Sequence, residues 1–397
     1  MGSMIHLAVG RLEIDWGKNN GFVDHSMLFQ GETDVADVPY YYVGDEREDG
    51  GCDVIVDHKE GLSRPLRLVI DRLNLLGHTL ASARREYSEI AELHGFDAKK
   101  HTFDQLQDAL ASVDVTALSA DYGEEGHDFG KFFRREIAPR LGLADDDWDL
   151  SYGMENLSSW TILQLLSANP ATQELPVTWA FNDLEEGGWA SRGTFVRDLD
   201  PKHRFLIVTE GSSDASIIRH AFKLLRPQIA DFFHYIDMEE GYPFSGTGNV
   251  LRFVQGLISI SVMNNILVLF DNDAEGVATY RRCSELNLPA NISVLKLPDL
   301  PQFDTFPTTG PTGDAVANIN GKAAAIECYL HLSSDAKVGW GGFNTDAQAY
   351  QGALVDKQRA MRTFLSQKGK KDGYDYSKLE SILDIFVAAA SAMCKAE

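Results

Sequence analysis

Two short acidic segments carry the residues best suited to chemistry. In Val208-Thr209-Glu210-Gly211-Ser212-Ser213-Asp214, Glu210 comes just after the apolar run Phe205-Leu206-Ile207-Val208. In Leu269-Phe270-Asp271-Asn272-Asp273-Ala274-Glu275-Gly276, Asp271 and Asp273 follow Ile266-Leu267-Val268-Leu269-Phe270. A third acid, Asp237, follows the run Phe232 to Ile236. Short apolar runs that alternate with helical periodicity read as strands of a parallel sheet. Open α/β sheets bind ligands at the carboxyl ends of their strands. Neighbouring strands lie about 5 Å apart, so these carboxylates are expected to converge. Crowded ionised carboxylates repel one another. A set of oxygen ligands offsets that repulsion with a hard cation such as Mg²⁺ or Mn²⁺.

Several neighbours fit the same chemistry. Gly211 permits a tight turn into a helix and close approach of a phosphate. Helix starts after the first and third strands offer N–H groups to an anion. Ser245-Gly246-Thr247-Gly248-Asn249 opens another helix and adds donors. Asp214 taken alone is more simply a helix cap. Glu210 followed by Asp271 and Asp273, in order and each behind a strand, is the specific signal.

The elements that must position these acids begin near residue 203. Strands are expected at 205–208, 232–236, 266–270 and 292–295, with helices at 213–225, 249–260 and 275–286. Residues 322–332, 348–366 and 376–394 read as further helices. Residues 170–203 hold Pro176, Gly187-Gly188, Gly193 and Pro201 and read as a connection. Ahead of it, residues 4–60 read as β-rich. Residues 64–95 read as one long helix, because Leu66, Val69, Ile70, Leu73, Leu76 and Leu80 share one face. Helices also follow near 102–112, 128–140 and 156–168. The expected domains are an α+β domain over 4–195, a Rossmann-like α/β core with a parallel sheet over 203–300, and a helical extension over 301–397.

The 397 residues are 44% hydrophobic and 24% charged, the make-up of an ordinary globular protein. Met1-Gly2-Ser3-Met4 reads as a cloning scar ahead of a start at Met4 and is set aside. No apolar stretch is long enough to span a membrane, and none follows a basic start as in a secretory signal. Cys52, Cys283, Cys328 and Cys394 are isolated, which excludes a CxxC-type zinc site and suits buried thiols in a reducing cytoplasm. A formal net charge of −23 argues against tight non-specific coating of DNA. It leaves room for local basic patches, such as Lys99-Lys100-His101, Arg134-Arg135, Arg281-Arg282 and Lys368-Gly369-Lys370-Lys371.

The core resembles the Toprim domain shared by topoisomerases, bacterial primases and OLD-family nucleases. That family carries a Glu after its first strand and an Asp-x-Asp after a later one, here Glu210 and Asp271/Asp273. Their separation, 271 − 210 = 61 residues, suits two βα steps. Gly276 matches the Gly that often trails the pair. The resemblance implies ligation of Mg²⁺ or Mn²⁺, with two ions, by Asp271 and Asp273. It implies that Glu210 serves as ligand or general acid/base. Asp214, Asp237 or Glu327 would complete the shell, and Lys357 would meet charge developing on the phosphate.

Arg72-Leu73-Asn74-Leu75-Leu76-Gly77 looks like part of a HEPN/Toprim-associated N-terminal domain, found in bacterial proteins suspected of conflict with phage. Asn320 to Glu327 and Tyr350 to Lys357 resemble later parts of the same group. Arg72 and His78 also match the spacing of HEPN ribonucleases (78 − 72 = 6), a spacing common by chance. No GxxxxGK[ST] is present, whereas OLD nucleases carry a P-loop ATPase. That suggests an independent nuclease or one controlled by a regulatory protein subunit. The expectation is a metal-dependent nuclease acting on DNA or RNA, such as tRNA, in anti-phage defence, as a homo-oligomer in the cytoplasm. The rivals are a non-cleaving nucleic-acid sensor or partner-binding protein with a vestigial Toprim fold, and a primase-like nucleotidyltransferase.

Overall fold

The β-rich start forms four strands: β1 (Met4–Val9), β2 (Leu12–Lys18), β3 (Val35–Glu46) and β4 (Cys52–Pro65). These are seen in a computed structural model that describes residues 2–46, 52–118, 128–143, 148–236, 247–345 and 347–394. The chain divides into two compact units, Met1–Asp200 and Pro201–Glu397. β1 with β2, and β3 with β4, are antiparallel pairs. They are joined by a strand from the stretch expected to be a connection. β5 (Pro176–Ala180) lies between β1 and β4, giving the order β2-β1-β5-β4-β3. The sequence hides this strand because Val177 to Ala180 are all buried. A strand covered on both faces shows no alternation. Pro176 is tolerated as its first residue.

The long helix expected over 64–95 is two helices, Leu66–Leu75 and Leu80–His94. Gly77 breaks them, at a φ of 90° that favours glycine. Thr79 then caps the second helix, its hydroxyl accepting from the Ser82 N–H at 3.3 Å. Leu66, Val69 and Leu73 enter the core, whereas Leu80 is exposed.

The second unit contains the parallel sheet. β6 (Phe205–Val208), β7 (Phe233–Tyr235), β8 (Asn265–Phe270) and β10 (Ile292–Lys296) run parallel in the order β10-β8-β6-β7. Helices Ser212–Leu225, Thr247–Ser259 and Ala274–Ser284 alternate with them. A two-residue strand, β9 (Asn272–Asp273), follows β8 at once. The unit is therefore mixed α/β.

Residues 301–397 are not purely helical. They hold β11 (Phe306–Gly310), β12 (Gly313–Ala317), β13 (Ala323–Ala324), β14 (Val338–Asn344) and β15 (Ala349–Leu354). Four of these form a sheet in the order β12-β11-β14-β15, and β13 pairs with β9. Ala349 to Leu354 carry helix-favouring residues, but pairing with β14 overrides that weak preference. Ala323-Ala324 is likewise drawn into pairing with Asn272-Asp273, and a 3₁₀ turn, Ile326–Tyr329, follows. Among the described residues there, only Lys357–Leu365 and Ser377–Cys394 form α-helices. Among the described residues no helix is long and apolar enough to cross a membrane. Cys283 and Cys328 are buried and unbridged.

Candidate metal centre

Parallel pairing of β6 with β8 sets Val208 opposite Val268. Glu210 lies two residues past that pair and Asp271 three, so both emerge at the same sheet edge. They meet directly: Glu210 Oε1 accepts the Asp271 N–H at 3.0 Å. Asp271 Oδ1 accepts the Ile326 N–H at 3.0 Å. Asp273 caps helix Ala274–Ser284, its Oδ1 accepting the Gly276 N–H at 2.7 Å. Asp214 is held at both oxygens, by the Gly211 N–H at 3.0 Å and the Ser213 hydroxyl at 3.1 Å. Asp214 is therefore not itself the N-cap, which is Gly211, but the third helical residue, whose carboxylate reaches back to the N-cap N–H. It is nonetheless buried, and its charge acts on Glu210 and Asp271.

Of the two glycines beside the acids, Gly276 is the one geometry requires. A Cβ there would stand 2.4 Å from the Asp271 carbonyl oxygen and 2.9 Å from Glu210 Oε1. Gly211 is different. Its φ is −145°, ordinary extended backbone, and a Cβ would meet nothing closer than 3.6 Å.

The middle residue of Asp271-Asn272-Asp273 has a role that sequence reasoning misses and burial explains. Asn272 is fully buried. Its oxygen accepts from Lys296 Nζ at 2.7 Å and the Gly321 N–H at 2.9 Å. Its amide donates to Asp299 Oδ1 at 2.8 Å. Side chains alternate along a strand, so turning Asn272 inward is compatible with turning the two flanking acids to the other side. No sequence signal beyond its place between two acids marks it.

Electrostatics set this cluster apart. Burial first, and then the charges of Asp273, Asp214 and Glu275, push the Glu210 carboxyl up to about 8, against a lowering bond from the Asp271 N–H. Burial and then Glu327 push Asp214 up to about 6. Asp271 is raised well above the usual carboxylate range by burial and by Asp214, Glu210, Asp273 and Glu327. Burial chiefly raises Asp273 as well. Such mutual raising is the signature of carboxylates gathered without enough positive charge.

Glu327 and Lys357 lie together. Glu327 falls not on a helix but in the 3₁₀ turn, where it is buried and joins the cluster electrostatically. Lys357 Nζ stands 3.8 Å from Glu327 Oε1 and is otherwise exposed. Its charge also acts to lower Asp214. Thr247, at the start of its helix, donates its hydroxyl to Glu275 Oε1. Asp237, Ser245 and Gly246 lie outside the described residues.

The donor set is all carboxylate, which fits a hard divalent cation. Among the described residues, however, no group of three or more His, Cys, Asp or Glu is already arranged to hold one. Several carboxylate oxygens are instead engaged by backbone N–H groups, so ligation would require side-chain adjustment.

The sequence matches the HEPN/Toprim N-terminal domain 1 over residues 1–203. The chain belongs to that family. Among curated proteins and among solved structures, none matches this HEPN/Toprim chain. The matched residues cover the first unit and stop before Glu210. Within them Arg72 is completely buried, and its Nε donates to the Met27 carbonyl at 3.0 Å. His78 stacks on Trp160, with ring centroids 4.2 Å apart. In this HEPN/Toprim chain Arg72 is thus packed in the core and His78 against an aromatic ring.

Proposed function

We propose that the protein is a Toprim-type, metal-dependent nuclease that hydrolyses phosphodiester bonds of DNA or RNA. The observation that carries this reading is the set Glu210, Asp214, Asp271 and Asp273, gathered at one sheet edge with carboxyls driven toward protonation, and the buried Glu327 whose charge acts on them. Asp271 and Asp273, with Glu210, would hold Mg²⁺ or Mn²⁺, and Asp214 and Glu327 would complete the shell. Two such ions, when bound, lower the pKa of an attacking water and stabilise the leaving oxygen. The chain's own groups have separate work. Glu210 keeps its carboxyl positioned through the Asp271 N–H; burial raises it to about 8 in the metal-free protein, and a bound cation would favour the ionised form that ligates. Lys357 Nζ, beside Glu327, offers positive charge to a phosphate oxygen. Membership of the HEPN/Toprim family supports a nuclease-related role, and anti-phage defence is the setting we propose.

One observation favours a second reading. Because no three ligand side chains among the described residues are yet arranged round an ion, a non-cleaving nucleic-acid sensor with a vestigial site is the rival. Incubation with Mg²⁺ or Mn²⁺ and end-labelled DNA or RNA decides. Shorter products that disappear on chelation support the nuclease. Products lengthened by added nucleotides mean a primase-like transferase. Intact strands across both metals and both nucleic acids leave the sensor.

A further inference from the structure

An open cleft of about 560 Å³ lies along helix Lys357–Leu365, and Lys357, Arg359 and Arg362 line it. All three are exposed. The cleft holds one carboxylate, Asp356, against these three cations. In a chain of net charge −23 this is a local cationic excess against the overall sign. Arg359 and Arg362 are three residues apart and so share a helix face. Asp356, at the start of the helix, makes no side-chain cap bond. The Arg359 N–H is taken by the Asp356 carbonyl at 3.0 Å, so within the first turn it is the Lys357 and Gln358 N–H groups that are left for solvent or an anion. Lys357 ties the cleft to the carboxylate cluster through Glu327, 3.8 Å away. Asp335 is close enough to feel Arg359, yet it is exposed and does not enter the cleft.

We infer that this cleft holds the sugar–phosphate backbone of the nucleic acid flanking the reacting phosphate, with Arg359 and Arg362 as phosphate-binding residues. The inference rests on the reading of the neighbouring site as one that handles phosphodiesters. Guanidinium groups match phosphate oxygens in pairs. Bonds to the phosphate backbone position a strand without reading its sequence. DNA and RNA share this chemistry, so both are probed.

The test is fluorescence anisotropy with short fluorescein-labelled DNA and RNA oligonucleotides, in chelator, across a salt series. Arg359→Ala/Arg362→Ala should weaken binding equally for different sequences. It should also make the slope of log K against log salt shallower by about one for each phosphate that is no longer neutralised. Lys99→Ala/Lys100→Ala removes the same charge from an exposed pair elsewhere and should leave slope and Kd near parental. Arg359→Gln/Arg362→Gln repeats the test with bulkier side chains, and thermal melts verify folding. The arm that shows the weakening identifies DNA or RNA as the bound strand. Parental affinity and slope in both arginine variants would overturn the inference, as would an equal weakening in the lysine control. Absence of binding by the parent protein would also overturn it. So would salt-sensitive self-association through this face without oligonucleotide binding, which would assign it to a second copy of this acidic chain. A parent that cleaves in Mg²⁺ while the arginine variants bind normally removes this inference and leaves the nuclease. A parent that binds through the arginines and never cleaves removes the nuclease and leaves the cleft.

Discussion

Asp271 is the most connected acid of the candidate centre, through the Glu210 carboxylate, the Ile326 N–H and four neighbouring charges. Removing one buried carboxyl from a crowded set relieves desolvation and repulsion in the metal-free protein. Asp271→Ala and Glu210→Ala should therefore lose at least about 10²-fold in cleavage rate yet melt no lower than the parent in chelator. Added Mg²⁺ should raise the parent's melting temperature and the variants' much less, since a ligand of the folded state stabilises by about RT ln(1 + [L]/Kd). Parental cleavage by Asp271→Ala would mean the site is elsewhere. Loss of activity only through unfolding would make the residue structural. The Glu210 carboxyl adds a pH signature. Its ordinary value of 4.5 is raised to about 8 in the fold, so folding favours the protonated form. The stability tied to that proton is fully present below about 4.5 and is lost as pH rises through about 8. In chelator the parent should thus lose melting temperature over that window more steeply than Glu210→Gln, whose amide stays neutral. Parallel curves for the two proteins would contradict the shift.

At the scale of elements, the short pair β9–β13 determines how the Asp-x-Asp is presented. Asn272 fastens this pair to Lys296, Asp299 and Gly321. Asn272→Ala leaves buried polar groups without their partner and should cost about 1–3 kcal/mol. It should also reduce cleavage by freeing the two acids it separates, and a melt with a parallel rate measurement checks both. A variant as stable and active as the parent would show that the pair is incidental. The strands ahead of Glu210 and Asp271 are legible in the sequence because each is a short apolar run set between turn residues. β13 and β15 are not, since Ala323-Ala324 and the Ala, Gln and Leu of Ala349–Leu354 favour helix until a distant partner recruits them. β5 escapes because uniform burial erases alternation. Among site residues, the acids are legible by type and position. Gly276 outweighs Gly211 only through the atoms that would crowd its Cβ, and Asn272 stands out only through its burial.

Across the whole molecule, the candidate chemistry is confined to the second unit, and the family match is all but confined to the first. His78→Ala should therefore leave any cleavage of DNA or RNA at the parental rate. Arg72→Ala should lower the melting temperature, because a fully buried guanidinium is replaced by a void and the Met27 carbonyl loses its donor. Loss of RNA cleavage in a well-folded His78→Ala protein would instead establish a second active site. Global charge does not describe the local surface here. The sum of −23 conceals both a crowded carboxylate cluster and a cationic cleft beside it.

The place of β5 bears on how the first unit comes into being during synthesis. The ribosome delivers β1 to β4 by residue 65, but the strand that joins β1 to β4 is not made until residues 176–180. Until then the two halves of that sheet wait with inner edges open, the kind of edge that recruits foreign strands. Nascent chains halted before Pro176 should consequently lean on chaperones and aggregate when released, whereas chains that have passed Ala180 can close the sheet.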